Sequence, residues 1–174
     1  MTLLEALLGE IGVKSYYVLM NSERGVVAPG VPSVQAFDHV IAAIALPAGA
    51  EAAAMPAVIH NERLGDLLLF DPTDSRTPLG SLPPEEQAST GLLVYDEGGA
   101  AITTPLEPPS QNRLLRMGQF KLSADGTLSG QVTELRWGAP AVEMRASLTS
   151  AQGMDRARVL EDILGGIAGR IRDE

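Results

Sequence analysis

The run Phe37–Leu46 (FDHVIAAIAL) constrains this 174-residue chain more than any other segment. It is apolar at every position after Asp38 and His39, and Pro47 stops it, because proline has no N–H with which to continue a ladder. A stretch with no polar alternation has no wet face, so it reads as a buried strand. Alanine-rich runs of this length can also be helical. A second apolar run, Leu67–Phe70 (LLLF), ends sharply at Asp71-Pro72-Thr73. Buried strands need neighbours, and candidates lie on both sides. Ser15–Met20 (SYYVLM) is rich in β-formers, and Ala57-Val58-Ile59 is a short candidate. Gly91–Tyr95 and Ala100–Thr103 flank Asp96-Glu97-Gly98-Gly99, which is a hairpin pattern.

Before these strands, Leu3, Leu4, Leu7, Leu8 and Ile11 recur at helical spacing, and Gly12 follows as a stop. The expectation is a core helix over residues 2–11. Val26–Ser33 reads as an irregular connection, Ala48–Pro56 as a loop, and Asp71–Pro84 as a proline-rich loop. Thr104–Asn112 holds three prolines and is the best candidate linker. The predicted organisation is therefore a core over residues 1–104, a linker over 105–112, and a second domain over 113–174. In that second part, Leu115–Leu122 and Thr127–Trp137 flank Ser123-Ala124-Asp125-Gly126, and Asp-Gly between two such runs is a strong hairpin signal. Gly138–Ser150 reads as helical after Pro140. Leu160, Ile163, Leu164, Ile167 and Ile171 form a stripe that predicts an amphipathic helix over 154–171. Gly165, Gly166 and Gly169 weaken it by about 1 kcal/mol each relative to alanine. The predicted fold class is α+β: an antiparallel sheet followed by a smaller β-rich domain with a C-terminal amphipathic helix.

Composition narrows the function classes. A net charge of −9 argues against nucleic acid, whose phosphates want a basic face, and against anionic membrane surfaces. No apolar run reaches the roughly 18 residues needed to span a bilayer. Met1-Thr2-Leu3-Leu4-Glu5 has no basic flank, so no signal peptide is expected, and the compartment is not readable. Hydrophobic residues make up 45% of the chain but aromatics only 4%, so Leu, Val, Ile and Ala must build the core. There is no cysteine, which excludes disulfides, thiolate metal sites and a thiol nucleophile within this chain.

Two segments carry residues with chemistry. In Phe37-Asp38-His39-Val40 a histidine opens an apolar strand, and in Phe70-Asp71-Pro72-Thr73 a carboxylate closes the next strong one. If the two strands are adjacent, His39 and Asp71 come within hydrogen-bond reach. A carboxylate on one imidazole nitrogen fixes the tautomer and leaves the other nitrogen for a nucleophile. The bland readings weigh heavily: a lone histidine beside a strand is usually structural, and Asp-Pro-Thr is usually a turn. No Gly-x-Ser-x-Gly elbow supports a serine nucleophile. No cofactor and no metal are expected, since His39 and His60 are the only histidines and no helical His-x-x-x-His accompanies them.

The order of motifs resembles the bacterial transglutaminase-like proteins of the papain-like cysteine-protease superfamily. That family has a helix of the form Cys-Lys-Asp-x-x-Thr-Leu-Leu. Here Thr2-Leu3-Leu4 through Leu8, then Gly12-Val13, is similar to the part after the cysteine. Val31-Pro32-Ser33 precedes Phe37-Asp38-His39 as the family's Pro-Ser precedes its Phe-(Asp/Asn)-His. Phe70-Asp71-Pro72-Thr73 and Gly80-Ser81-Leu82-Pro83 follow in the family's order. Asp125-Gly126-Thr127-Leu128-Ser129-Gly130 and Gly138 resemble the β-rich domain that trails the core in one subgroup. The likeness runs over most of the chain. Each motif alone is unspecific, and the order carries the signal.

The resemblance implies a truncated transglutaminase-like core in which His39 is the imidazole base and Asp71 its orienting partner. It implies that the matching cysteine would lie a few residues before Met1. A chain without it is inactive in the family's thiol chemistry, as the back part of an enzyme whose intact parent acts on a protein or peptide amide. The alternative is a non-catalytic β-rich binding or scaffolding module. A serine hydrolase built on His39 and Asp71 ranks below both. Two further expectations follow: that His39 and Asp71 face the start of the opening helix, and that uncovered apolar surface drives self-association to a homo-oligomer.

Overall fold

The computed structural model describes residues 2–25, 27, 34–52, 55–150, 157–163 and 165–166. The chain divides into two compact units, Met1–Gln111 and Asn112–Glu174. It is α+β, and every strand pairing is antiparallel. No helix among the described residues is long and apolar enough to cross a membrane.

The first unit opens with α1 (Thr2–Glu10), which Gly12 ends in a left-handed conformation. Six strands follow: β1 (Ser15–Met20), β2 (His39–Ala45), β3 (Val58–Asn61), β4 (Gly65–Phe70), β5 (Thr90–Tyr95) and β6 (Gly98–Thr103). They form one sheet in the order β3-β4-β2-β1-β5-β6. The two apolar runs of the sequence, β2 and β4, are adjacent inside it. In register, Val18 of β1 faces Ile41 of β2, and Ala43 of β2 faces Leu69 of β4. Directly opposed residues share a sheet face, so Val18, Met20, Ile41, Ala43, Leu67, Leu69 and Leu93 make one buried surface. Ala57 and Leu82 join it from outside the strands. Each leucine in it is worth about 1.5–3 kcal/mol of transfer free energy.

The predicted core helix is not one. No residue of α1 is buried, and Leu3 and Ile11 are 73% and 74% exposed. Helical periodicity identifies an apolar stripe, but it does not say whether anything covers that stripe. The helix leans on β1 through the Tyr17 hydroxyl, which donates to Glu5 Oε2. The short candidate at 57–59 becomes half of a hairpin with β4. Asn61 Oδ1 accepts from the backbone N–H groups of Arg63 and Leu64 at 3.0 Å each and closes the turn.

The second unit holds a hairpin of β7 (Leu114–Leu122) and β8 (Leu128–Arg136), turned at Asp125-Gly126, and the helix α2 (Ala139–Ser150). Asn112 Oδ1 accepts from the Ala139 N–H at 2.8 Å, which gives α2 its N-terminal cap. Phe120 lies directly across from Gly130, where an added Cβ would sit 2.7 Å from the ring. The ring covers glycine backbone that has no side chain of its own. Arg116 and Arg136 both bind Glu134, each at 2.5 Å. The Val26–Ser33 connection, including Val31-Pro32-Ser33, lies mostly outside the described residues. Of the helix predicted over 154–171, residues 157–163 and 165–166 are helical.

Candidate functional site

His39 is the first residue of β2, and its position is fixed from both sides. Its backbone pairs with Met20, and the Asp38 N–H donates to the Met20 carbonyl at 3.1 Å. Asp38 itself accepts from the Ser22 N–H at 2.7 Å and the Ser22 hydroxyl at 2.9 Å. Those bonds, the backbone one first, hold its carboxyl below the usual range. Ser22 and Asp38 thus tie the end of β1 to the start of β2.

The partner of His39 follows from the β2–β4 register. Ala42 faces Phe70. One more step along the ladder sets Asp71 opposite Ile41, and His39 lies two residues before Ile41 on the same face. Such diagonal neighbours are within reach of long side chains. Accordingly, His39 Nε2 lies 3.2 Å from Asp71 Oδ2. The other oxygen of Asp71 is held by its own turn: Oδ1 accepts from the Thr73 N–H and the Thr73 hydroxyl, both at 2.8 Å. Asp-Pro-Thr is therefore a side-chain-to-backbone turn and also the clamp that orients the carboxylate toward the imidazole. Among the described residues, His39 Nδ1 has no hydrogen-bond partner.

A third group completes the cluster, and the sequence reading missed it. Glu86 Oε1 lies 3.3 Å from the same Nε2. The side chains of His39, Asp71 and Glu86 are 22%, 5% and 4% exposed. Glu86 ends a single 3₁₀ turn, Pro84–Glu86, which Pro83 and Pro84 initiate. Three bonds hold that turn inward. Thr104 Oγ1 donates to the Glu86 carbonyl at 2.5 Å and accepts from the Ser89 N–H at 2.8 Å. Gln87 Nε2 donates to the Leu82 carbonyl at 2.9 Å. Ala88 takes a left-handed conformation between them (φ 52°). No sequence signal marked Glu86: an acidic residue in Pro-Pro-Glu-Glu-Gln reads as a wet loop, and the bonds that turn it inward, from Thr104 and Gln87, are invisible in the local pattern.

Burial pushes the Glu86 carboxyl up to about 9, and the hydrogen bond and negative charge of Asp71 push it the same way. At neutral pH Glu86 is thus a carboxylic acid beside Asp71, and its Oε2 has no partner. The cluster presents one imidazole, one oriented carboxylate and one protonated acid. The imidazole can exchange a proton at Nδ1 while Asp71 fixes its tautomer at Nε2.

The opening helix is not on this side of the sheet. Tyr17, which carries the bond to Glu5, faces Ala42 and alternates with Met20, so it projects from the face opposite His39. An open groove of about 660 Å³ lies there, lined by Glu5, Gly9, Tyr17 and Tyr95, and the His39 cluster does not contribute to its walls. The expectation that His39 and Asp71 face the start of α1 therefore needs correcting. A group reaching Nδ1 from the front of α1 has to come around the end of β2. His60, the other histidine, lies on β3 with Nδ1 2.7 Å from Asp66 Oδ1, and both side chains are exposed. Comparison of the chain with protein-family models, curated proteins and solved structures found no match.

Proposed function

We propose that this chain is the back part of a transglutaminase-like thiol acyl-transferase or peptidase, with His39 as imidazole base and Asp71 as its orienting partner. The observation that carries the reading is the 3.2 Å approach of Nε2 to an Asp71 carboxylate that Thr73 clamps from its other oxygen. In such an enzyme a thiol gives its proton to Nδ1. The thiolate attacks an amide carbon of a protein or peptide, and the amine leaves with that proton. An amine or water then takes the acyl group from the thioester. The chain has no cysteine, so by itself it performs none of these steps. In this reading the thiol comes from a Cys-Lys-Asp segment ahead of Thr2.

A second reading, a non-catalytic binding module that keeps the His–Asp geometry, is favoured by the lean of α1 on the reverse face. One experiment separates them. A version carrying Cys-Lys-Asp-x ahead of Met1 is alkylated with iodoacetamide across pH 5–9. The enzyme reading expects alkylation below pH 7 at least 10-fold faster than for a free thiol of pKa about 8.5. His39→Ala should abolish that advantage. Equal rates in the two proteins would end the enzyme reading and leave the binding module.

A further inference from the structure

The His39–Asp71–Glu86 cluster has one feature that acyl transfer does not use. Two carboxyl oxygens, Asp71 Oδ2 at 3.2 Å and Glu86 Oε1 at 3.3 Å, converge on a single imidazole nitrogen, Nε2. A ring nitrogen carries at most one hydrogen, so without a cation it can donate to only one of the two oxygens at a time. Donors held about 2.0–2.2 Å from a tetrahedral zinc stand roughly 3.3–3.5 Å from one another; the Glu86 distance falls at the edge of that range and the Asp71 distance is about 0.1 Å short of it. The three candidate donor atoms all lie within 4.8 Å of each other. The Glu86 side chain is more than nine-tenths buried, and its Oε2 has no hydrogen-bond partner. A buried, half-unpartnered carboxyl aimed into a cluster of donors needs a proton or a cation to neutralise it. Thr73 supplies what metal sites usually add behind a ligand, a group that orients the Asp71 carboxylate: its N–H donates to the distal Oδ1, and its hydroxyl lies 2.8 Å from Oδ1 and 3.0 Å from Oδ2.

We propose that His39 Nε2, Asp71 and Glu86 together bind one divalent transition cation of the zinc class. One imidazole and two carboxylates give a neutral set with a 2+ ion and leave a fourth position for water or a ligand. The site does not depend on the acyl-transfer reading, because it uses Nε2 rather than Nδ1 and needs no thiol. With the cation bound, Nε2 is a ligand atom and no longer donates to Asp71.

The test uses the chain itself, titrated with Zn²⁺ by calorimetry and with Co²⁺ by visible absorption. The expected result is one equivalent bound, with the intense Co²⁺ bands of a four-coordinate site. Glu86→Gln and His39→Ala should each weaken binding at least 10-fold, and Thr73→Ala by about 10-fold. His60→Ala and Asp66→Asn should leave it unchanged. Far-UV circular dichroism verifies that each variant is folded. A measurement on the unaltered protein guards against misfolded variants: Zn²⁺ should protect His39, and not His60, from diethylpyrocarbonate. No binding at millimolar Zn²⁺ would overturn the proposal. So would binding that survives Glu86→Gln together with His39→Ala, or protection confined to His60.

Discussion

The two histidines of this protein make a controlled comparison. His60 has the shorter contact, 2.7 Å to Asp66, and His39 the longer, 3.2 Å to Asp71. Yet His60 and Asp66 are 70% and 47% exposed, while Asp71 is almost wholly covered. In water a carboxylate–imidazole contact trades one set of good contacts for another and contributes little. Around His39 and Asp71, 22% and 5% exposed, water has far less access, so the bonds around the pair hold its geometry. The contrast teaches that surroundings, more than separation, decide which histidine has chemistry available to it. A second carboxyl, Glu86, converges on His39 only.

The largest expected effect is a difference between two parallel deletions. Asp71→Ala should cost about 3 kcal/mol in urea unfolding, because it strips a buried partner from His39 and from Thr73. Asp66→Ala should cost under about 1 kcal/mol. Equal losses would erase the contrast. Next comes pH. Folded Glu86 keeps its proton up to about pH 9, whereas in the unfolded chain it ionises near its ordinary 4.5. Between those values the folded state binds more protons, so this group's contribution to stability is full below about pH 4.5. It declines as pH rises and is lost above about pH 9. Glu86→Gln, which cannot ionise, should flatten that slope in thermal melts from pH 5 to 9. An unchanged slope would place the origin elsewhere. Thr73→Ala should cost about 1 kcal/mol, the worth of one hydroxyl bond to a carboxylate, with the backbone N–H bond kept. The smallest effect is at the exposed pair. His60→Ala should change stability by less than about 0.5 kcal/mol, in low salt as in 1 M NaCl. Asp71→Ala should keep its cost in both.

Much of the sheet is legible in the sequence. Phe37–Leu46 and Leu67–Phe70 had no wet face and ended at proline or at Asp-Pro, and they occupy adjacent interior positions as β2 and β4. The β7–β8 turn was legible because Asp-Gly permits the left-handed residue that the turn needs, and Gly126 adopts it (φ 85°). Strand order was not legible, since alternation marks a face and says nothing about neighbours. The exposure of α1 was illegible for the same reason. Its leucines fit a core helix, but covering depends on contacts far from the local pattern. Within the site, His39 and Asp71 were marked by position, each at the end of an apolar run. Glu86 was hidden because its burial depends on a hydroxyl eighteen residues downstream. The linker predicted to start at 105 is also partly structural, since the Glu107 N–H donates to Gln87 Oε1 at 3.0 Å.

That distant hydroxyl, on Thr104, has a mechanical consequence. It sits where the edge strand β6 gives way to the proline-rich stretch, and it grips the turn bearing the acid by a carbonyl on one side and an amide on the other. The sheet's rim and its buried His39–Asp71–Glu86 cluster are thereby coupled like a latch and its keeper. Inserting or deleting a single residue near position 104 would slide the acid out of line with the imidazole while leaving every strand intact.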